Sequence, residues 1–588
     1  MNAVLRKLAA ARRLRRVDGA LGDWLARAYP DAPPEAALAA ALAARAIADG
    51  HSALALDLAQ TWLDGLAGDG SASGLPEASA WCDALRQSPA VHVHDGKAPA
   101  ARVPLVLDAK RRVYLRRYFD YELGLAQALI TRAAGPDTGS RVPSHESRAD
   151  GIDPEQQRAI DTALAHRFTL VTGGPGTGKT HSVVRMLVAL ARQAHTRGET
   201  LRIALAAPTG KAAARLSDSV HGQLARLDLP PAIAQQIPDR AGTVHRLIGL
   251  SPWQARPRFD RASPLPVDVL VVDEVSMVDL PLMAKLVDAV PEHARLILLG
   301  DPDQLAAVEA GNVLGALVEA TDGGPLQHCH APLVRSHRFG EGSALAALSA
   351  AIACGDADAA LRTLAENGDA TLVGHDAKLP DEATARYRAV LDAPDPAEAL
   401  RAARGFRVLT ALRQGPSGCI AIDRAIAQRL QRAVGVRADA QWWRGRLLLV
   451  TANRPELDLF NGDTGVVWPD ANGTLKAWFD GPQGVLRALA PAVLPPHEGA
   501  FALTVHKAQG SEFDRVALVT GPDSAVLTRE LLYTGITRAR SGIAVYSTAD
   551  TLRAGIGRRT LRMTGLADRL REAAATPISI AKSSPAPT

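Results

Sequence analysis

Cysteine is scarce in these 588 residues. The four present, Cys82, Cys329, Cys354 and Cys419, lie far apart. No CxxC pattern for zinc or an iron–sulfur cluster is visible, and so few thiols fit a reducing cytosol. No apolar run reaches the length of a membrane span, so no transmembrane helix and no membrane partner are expected. No internal repeat is evident. Neither sign of charge is in large surplus: 67 basic and 62 acidic residues leave a net +5. That balance permits a nucleic-acid partner without demanding one. Lysine is rare, with ten against 57 arginines, which makes each lysine worth locating. The first residues are basic (Arg6, Lys7, Arg12, Arg13, Arg15, Arg16) but no apolar stretch follows. They read as a basic first helix of a folded domain, not as a signal peptide.

Hydrophobic residues make up 47% of the chain, ample for several cores. Residues 1–133 read as a mostly helical domain without a chemical motif. Leu21, Trp24, Leu25 and Tyr29 suggest one helix there, and Leu54, Leu56, Leu58 and Trp62 another. Residues 134–150, rich in Gly, Pro, Ser and charge, read as a linker. From 151 to 340, short apolar runs (Phe168–Thr172, Ile203–Ala207, Val269–Val272, Leu296–Leu299) alternate with helical patterns. Each run ends in a polar or glycine-rich turn, as in a parallel sheet whose strand ends carry function. A second α/β stretch covers 341–575. Within it, about 440–497 breaks into short β-like runs split by Asn-Gly and Asp-Gly turns, and reads as a small β insertion. Residues 576–588 read as a disordered tail.

The strongest chemical signal is Gly173-Gly174-Pro175-Gly176-Thr177-Gly178-Lys179-Thr180, directly after the first apolar run and before a helical pattern. Glycines at this spacing let backbone N–H groups wrap phosphates at a helix N-terminus. Lys179 supplies a point charge to the β- and γ-phosphates, and Thr180 a hydroxyl to Mg²⁺. Ninety-odd residues on, the run Val269–Val272 delivers Asp273 and Glu274. Asp273 is expected at the Mg²⁺ and Glu274 at the attacking water. A third run ends in Gly300-Asp301-Pro302-Asp303-Gln304, where the neutral amide of Gln304 can sense the γ-phosphate or place the water.

In order and spacing these motifs resemble those of superfamily 1 helicases. Gln156, in Ile152–Gln156, looks like the adenine-reading glutamine. Ala207–Ala213 and Thr243–Leu247 resemble the DNA-contacting motifs, and Asp273–Met277 the acidic box. Leu333–Phe339 resembles the motif that donates Arg338. Thr504–Phe513 resembles the fifth motif, and Leu532–Arg540, with Arg538, the last. Two further segments, Leu409–Pro416 and Leu459–Gly465, are similar to ones particular to the RecD family, the superfamily 1B alpha subunits of exodeoxyribonuclease V. The likeness covers roughly residues 150–545. Val275, Ala508 and Gly535 stand where Ala, Ser and Ala are expected, small changes that leave the chemistry intact.

The resemblance implies an α/β fold of two RecA-like P-loop domains, with a helical N-terminal domain and an SH3-like insertion. It implies an ATP- and Mg²⁺-dependent 5′→3′ DNA translocase, acting on single strands and duplex ends. RecB-like and RecC-like subunits would complete a heterotrimer; residues 1–133, helical, apolar enough to pack and free of motor motifs, are expected to dock them. The family's nuclease centre lies in another subunit, and no nuclease constellation of carboxylates and lysine is visible here. Arg338 and Arg538 are the expected arginine fingers. Lys211 and Lys507, with Thr209, Thr243, His245, Arg246, Thr504 and His506, are the expected DNA contacts, gripping phosphates without reading sequence. For each, surface solvation or helix capping is the competing reading. A stand-alone RecD-like helicase and an ATP-switched DNA clamp remain the alternatives.

Overall fold

The computed structural model describes residues 3–575 apart from 68–73, 97–102, 135–152, 252–253, 255, 339–341, 367, 375–377, 482–484 and 522–525. All but the first residue of the expected linker, and the whole expected tail, lie outside the described residues.

The first α/β domain is built on a six-stranded sheet in the order 330–333, 168–173, 295–300, 269–272, 203–207, 242–243. Every pairing in it is parallel. A parallel strand buried on both faces must be apolar at every position, which is why Val269–Val272 is an unbroken run. Alternate side chains serve different cores. Leu270, Val272, Leu296 and Leu298 point into one, with Met283, Leu286 and Leu317. Val269, Val271, Ile297 and Leu299 point into the other, with Ile160, Val183 and Leu187. The four apolar runs of the sequence all become strands, and their C-terminal ends all open on one edge of the sheet.

The second domain carries a five-stranded parallel sheet in the order 370–373, 539–546, 513–519, 406–410, 502–504. Between helix Cys419–Ala433 and strand Ala502–Thr504 stands the insertion. It is a five-stranded antiparallel sheet (447–450, 464–469, 475–480, 486–489, 497–499) around its own small core of Leu448, Val450, Val467 and Phe479.

The N-terminal region departs from the helical reading in one respect. Beside helices Ala3–Ala10, Arg16–Ala28, Pro34–Ala48, Ala59–Ala67 and Ala78–Arg86 it holds a four-stranded sheet of 54–55, 112–115, 105–107 and 91–93. Leu54 lies in a strand and Leu56–Leu58 in a 3₁₀ turn, so only Trp62 of that expected helix is helical. The boundaries at 133 and 575 also shift in meaning. Helix Arg116–Ala134 buries Leu125, Ala126, Leu129 and Ala133 in the core that contains Phe168 and Leu296 of the six-stranded sheet. Helix Leu566–Ala575 puts Leu566, Ala567 and Leu570 into that same core, not into the second domain.

The segment before that helix straps three parts together. Arg562 donates to Asp49 O at 3.2 Å and to Ala307 O at 2.9 Å. Buried Glu122 accepts from Ser52 Oγ, Thr564 Oγ1 and Gly565 N. Gly50, at φ +88°, lies against the Arg562 guanidinium, where a Cβ would collide. Among the described residues no helix is long and apolar enough to cross a membrane.

Candidate ATP site and DNA-facing residues

The phosphate loop forms where strand Phe168–Gly173 gives way to helix Lys179–Thr196. Gly176 and Gly178 sit at φ +78° and +83°, a region side chains disfavour, and so turn successive N–H groups towards one point. Gly178 is the residue before the helix, so the cradle coincides with the helix's positive end. Lys179 Nζ donates to Gly174 O at 3.0 Å and also to Gly173 O. It stands in the field of Asp273 and Asp301. Gln156, on helix Pro154–Ala165, is buried, and its amide nitrogen reaches the His337 ring at 3.5 Å. It also lies against Gly178, where a Cβ would come within 2.6 Å of it. The helix is started by Asp153, whose carboxylate accepts from Glu155 N at 2.8 Å.

Asp273 and Glu274 emerge at the end of strand Val269–Val272. Glu274 is held at φ +55°, a left-handed conformation few non-glycine residues adopt, and its N–H donates to Asp273 Oδ1 at 2.8 Å. Such strain gathers at functional sites. Desolvation and the neighbouring Glu274 push the Asp273 carboxyl up, while Lys179 pulls it down. Gln304 is buried and donates to Asp301 Oδ2 at 2.9 Å, and Tyr533 of the second domain donates to the same oxygen at 3.2 Å. Beside them Leu305 N donates to Thr534 Oγ1 at 2.8 Å and Gln509 Nε2 to Leu305 O at 3.1 Å. The loop after strand Arg295–Gly300 thus touches both the fifth and the last motifs across the domain boundary.

Arg538 is only 3% exposed, held by Thr534 O at 3.1 Å and Ser511 O at 3.3 Å, in the field of Glu274 and Glu512. Arg338 pairs with Glu512 and packs its Cβ against Gly176 of the phosphate loop. Glu512 also receives Arg215 at 2.9 Å and Arg540 at 3.2 Å. Burial opposes its ionisation, yet Arg215 and Arg338 outweigh burial and hold it down at about 2.

The expected DNA contacts fall into three groups. His245 and Arg246 are exposed. Thr209, Thr243 and Thr504 accept N–H bonds from Ala212, Arg246 and Lys507 at 3.2–3.3 Å, so each hydroxyl caps a turn and keeps its own hydrogen for an acceptor. Lys211 and Lys507 are engaged within the chain, and His506 is half-buried. Lys211 Nζ donates to Ser511 Oγ at 2.7 Å and Gly462 O at 3.3 Å, and desolvation lowers it to about 8. Burial, with Arg562 adding to it, pushes His506 down, and Lys507 pairs with Glu498 of the insertion. Sequence reasoning gave no role to Arg215, Glu512 or Tyr533. The last two lie inside quoted motifs, but Arg215 is one of 57 arginines and only its contacts single it out.

Comparison with known proteins decides the family. Residues 156–310 match the AAA domain family, 499–546 the UvrD-like helicase C-terminal domain, and 10–114 the N-terminal domain of RecBCD enzyme subunit RecD. The chain is 41% identical over 558 residues to the RecBCD enzyme subunit RecD of Mycolicibacterium smegmatis, covering 92% of this chain and 95% of that one. It belongs to the RecD family. Membership makes it an ATP-dependent DNA helicase subunit of the RecBCD kind. RecD of Haemophilus influenzae is 35% identical, over 71% of this chain and 72% of that one. The ATP-dependent RecD2 DNA helicase of Deinococcus radiodurans is 32% identical over 78% of this chain but 59% of its own length. Among solved structures, Bacteroides Pif1 bound to ssDNA is 17% identical, covers 68% of this chain and 93% of that one, and superposes with a TM-score of 0.41.

Proposed function

We propose that the chain is the 5′→3′ motor of a heterotrimeric DNA-end-processing enzyme, working in the cytoplasm beside RecB-like and RecC-like subunits. The observation that carries the motor reading is the convergence of two domains on one cleft. Lys179, Asp273, Glu274 and Gln304 come from the first, while Arg538, Tyr533 and Glu512 come from the second. ATP bound to the loop would take backbone N–H groups of 174–180 on its phosphates and Lys179 on its β- and γ-oxygens. Gln156 would meet the adenine. Thr180 and Asp273 would hold Mg²⁺, which supplies charge neutralisation at the phosphates; an oxygen-only pair at the loop suits that hard cation. Glu274, aimed by its left-handed backbone, orients the attacking water. Gln304 reads the γ-phosphate, and Arg338 and Arg538 stabilise charge on it when the cleft closes.

Closure also moves the DNA grip, because Gln509 and Thr534 hold the Gln304 loop directly. The cap threonines donate their free hydroxyl hydrogens to phosphates, with His245 and Arg246 exposed beside them. Lys211 and Lys507 reach DNA by leaving their partners within the chain, and half-buried His506 lies between Lys507 and the cap residue Thr504 in the same motif. The insertion, read as SH3-like, faces the strand leaving the motor, and residues 3–115 dock the larger subunits. A stand-alone helicase is favoured by one fact, the RecD2 match. The test is unwinding of duplexes with a single 5′ or 3′ overhang by the chain alone and with its partners. Unwinding from the 5′ overhang is expected; unwinding from the 3′ overhang alone overturns the polarity.

A further inference from the structure

Helix Gly210–Leu224 follows the second strand of the first sheet. Lys211 and Arg215, one turn apart, share a face of it. Both cross the domain boundary to a single turn of the fifth motif. Lys211 takes Ser511 Oγ at 2.7 Å. Arg215 Nη1 takes Gly510 O at 2.8 Å, and its Nη2 lies 2.9 Å from Glu512 Oε1. Gly510 sits at φ +69°, a left-handed conformation that favours glycine. The other guanidinium on Glu512 Oε1 is that of Arg338, whose Cβ packs on Gly176 of the phosphate loop. One carboxylate oxygen of the second domain therefore ties a DNA-motif helix of the first domain to an arginine beside the phosphate loop. Arg215 also stands in the field of Asp273 and Glu274.

We propose that Arg215 is a positioning residue: through Glu512 it sets how tightly Arg338 is held, and so passes movement of helix Gly210–Leu224 to the ATP site. This rests on the reading of Arg338 as a finger. The physics is competition for one carboxylate. With Arg215 in place, Glu512 divides its charge among Arg215, Arg338 and Arg540, and Arg338 can leave it for a phosphoryl oxygen. Without Arg215, Glu512 holds Arg338 more firmly and away from the transferring group. A Lys at 215 keeps the charge but cannot bridge Gly510 O and Glu512 together.

The test is steady-state, single-strand-stimulated ATPase of the full chain. Arg215→Ala is expected to lower kcat about tenfold at saturating DNA, with KM for ATP changed by less than about twofold, since Arg215 does not touch the phosphate loop. Arg215→Lys is expected to recover part of the loss. Adding Glu512→Gln to Arg215→Ala is expected to raise turnover again, because the competing charge is gone. A merely structural arginine gives losses that multiply in the double variant and a lowered Tm, and that result overturns the proposal. So does Arg215→Ala with parental kcat, or with only a raised DNA requirement, which would make Arg215 a DNA contact. Arg338→Ala separates the two readings. If it keeps parental turnover, Arg338 is no finger and this proposal falls with it. If it is inactive while Arg215→Ala is normal, the finger stands and only the positioning role is lost.

Discussion

Lys179 and Glu274 show how single side chains divide one reaction. The lysine is placed for the β/γ charge, so Lys179→Ala should abolish DNA-stimulated hydrolysis and weaken nucleotide binding. Glu274→Gln keeps size and hydrogen bonding but loses the charge that polarises water, so ATP should still bind while turnover falls by at least about a hundredfold. Filter binding beside a phosphate-release assay checks both, and normal turnover in the glutamine variant would remove Glu274 from the chemistry.

Lys211 allows a pH test. Its folded-state value is about 8 against an ordinary 10.5, so the unfolded chain binds its proton more readily in that interval. Lys211 therefore opposes folding below about pH 8, and the opposition fades as pH rises towards 10.5. Lys211→Met lacks this titration. The variant's Tm should exceed the parent's near pH 7, and the gap should close across that window; a gap unchanged with pH would place Lys211 outside the buried contact. At this scale the phosphate loop and acidic pair were legible because their chemistry tolerates few other residues at that spacing. Arg215 was not, because an ion pair across 297 positions leaves no local pattern.

Among elements, the parallel strands of the first sheet could be read directly, since burial on both faces admits only apolar residues. The N-terminal sheet could not. Its strands are two to four residues long, too short for an alternation to stand out from neighbouring helices. The insertion was legible through its turns, but its reach was not. The turn between its first two strands lays Phe460 on Gly210, where a Cβ would come within 2.7 Å of the ring, and sets Gly462 O against Lys211. The insertion thus leans on the first domain although its chain leaves the second. Phe460→Ala should loosen that contact without touching the ATP site: ATP consumed per base pair unwound should rise several-fold while DNA-stimulated ATPase stays near parental. An unchanged ratio would make the contact incidental.

For the whole molecule, the partner-docking reading now has a boundary. A cut at 133 would remove helix Arg116–Ala134 from the first ATPase core, so its failure would say nothing about docking. A chain starting at 116 keeps that helix. It should retain DNA-stimulated ATPase, yet fail to capture the RecB-like and RecC-like subunits in a pull-down. Capture at the parental level would move the docking surface elsewhere.

The strap that ends in helix Leu566–Ala575 bears on how the protein is made. Its Arg569 pairs with Asp108 at 3.1 Å, 461 positions earlier, and its leucines complete a core begun by Phe168. During synthesis the N-terminal module and the first ATPase sheet leave the ribosome long before residues 562–575 exist. Until then Asp108 has Arg112 but lacks Arg569, Glu122 has Ser52 but lacks Thr564 and the Gly565 amide, and an apolar seat stays open to solvent. A ribosome stalled within the second domain would carry a nascent chain with that seat exposed, a natural mark for chaperones and proteases. Only a message translated through these final helical turns yields a motor whose first domain is closed.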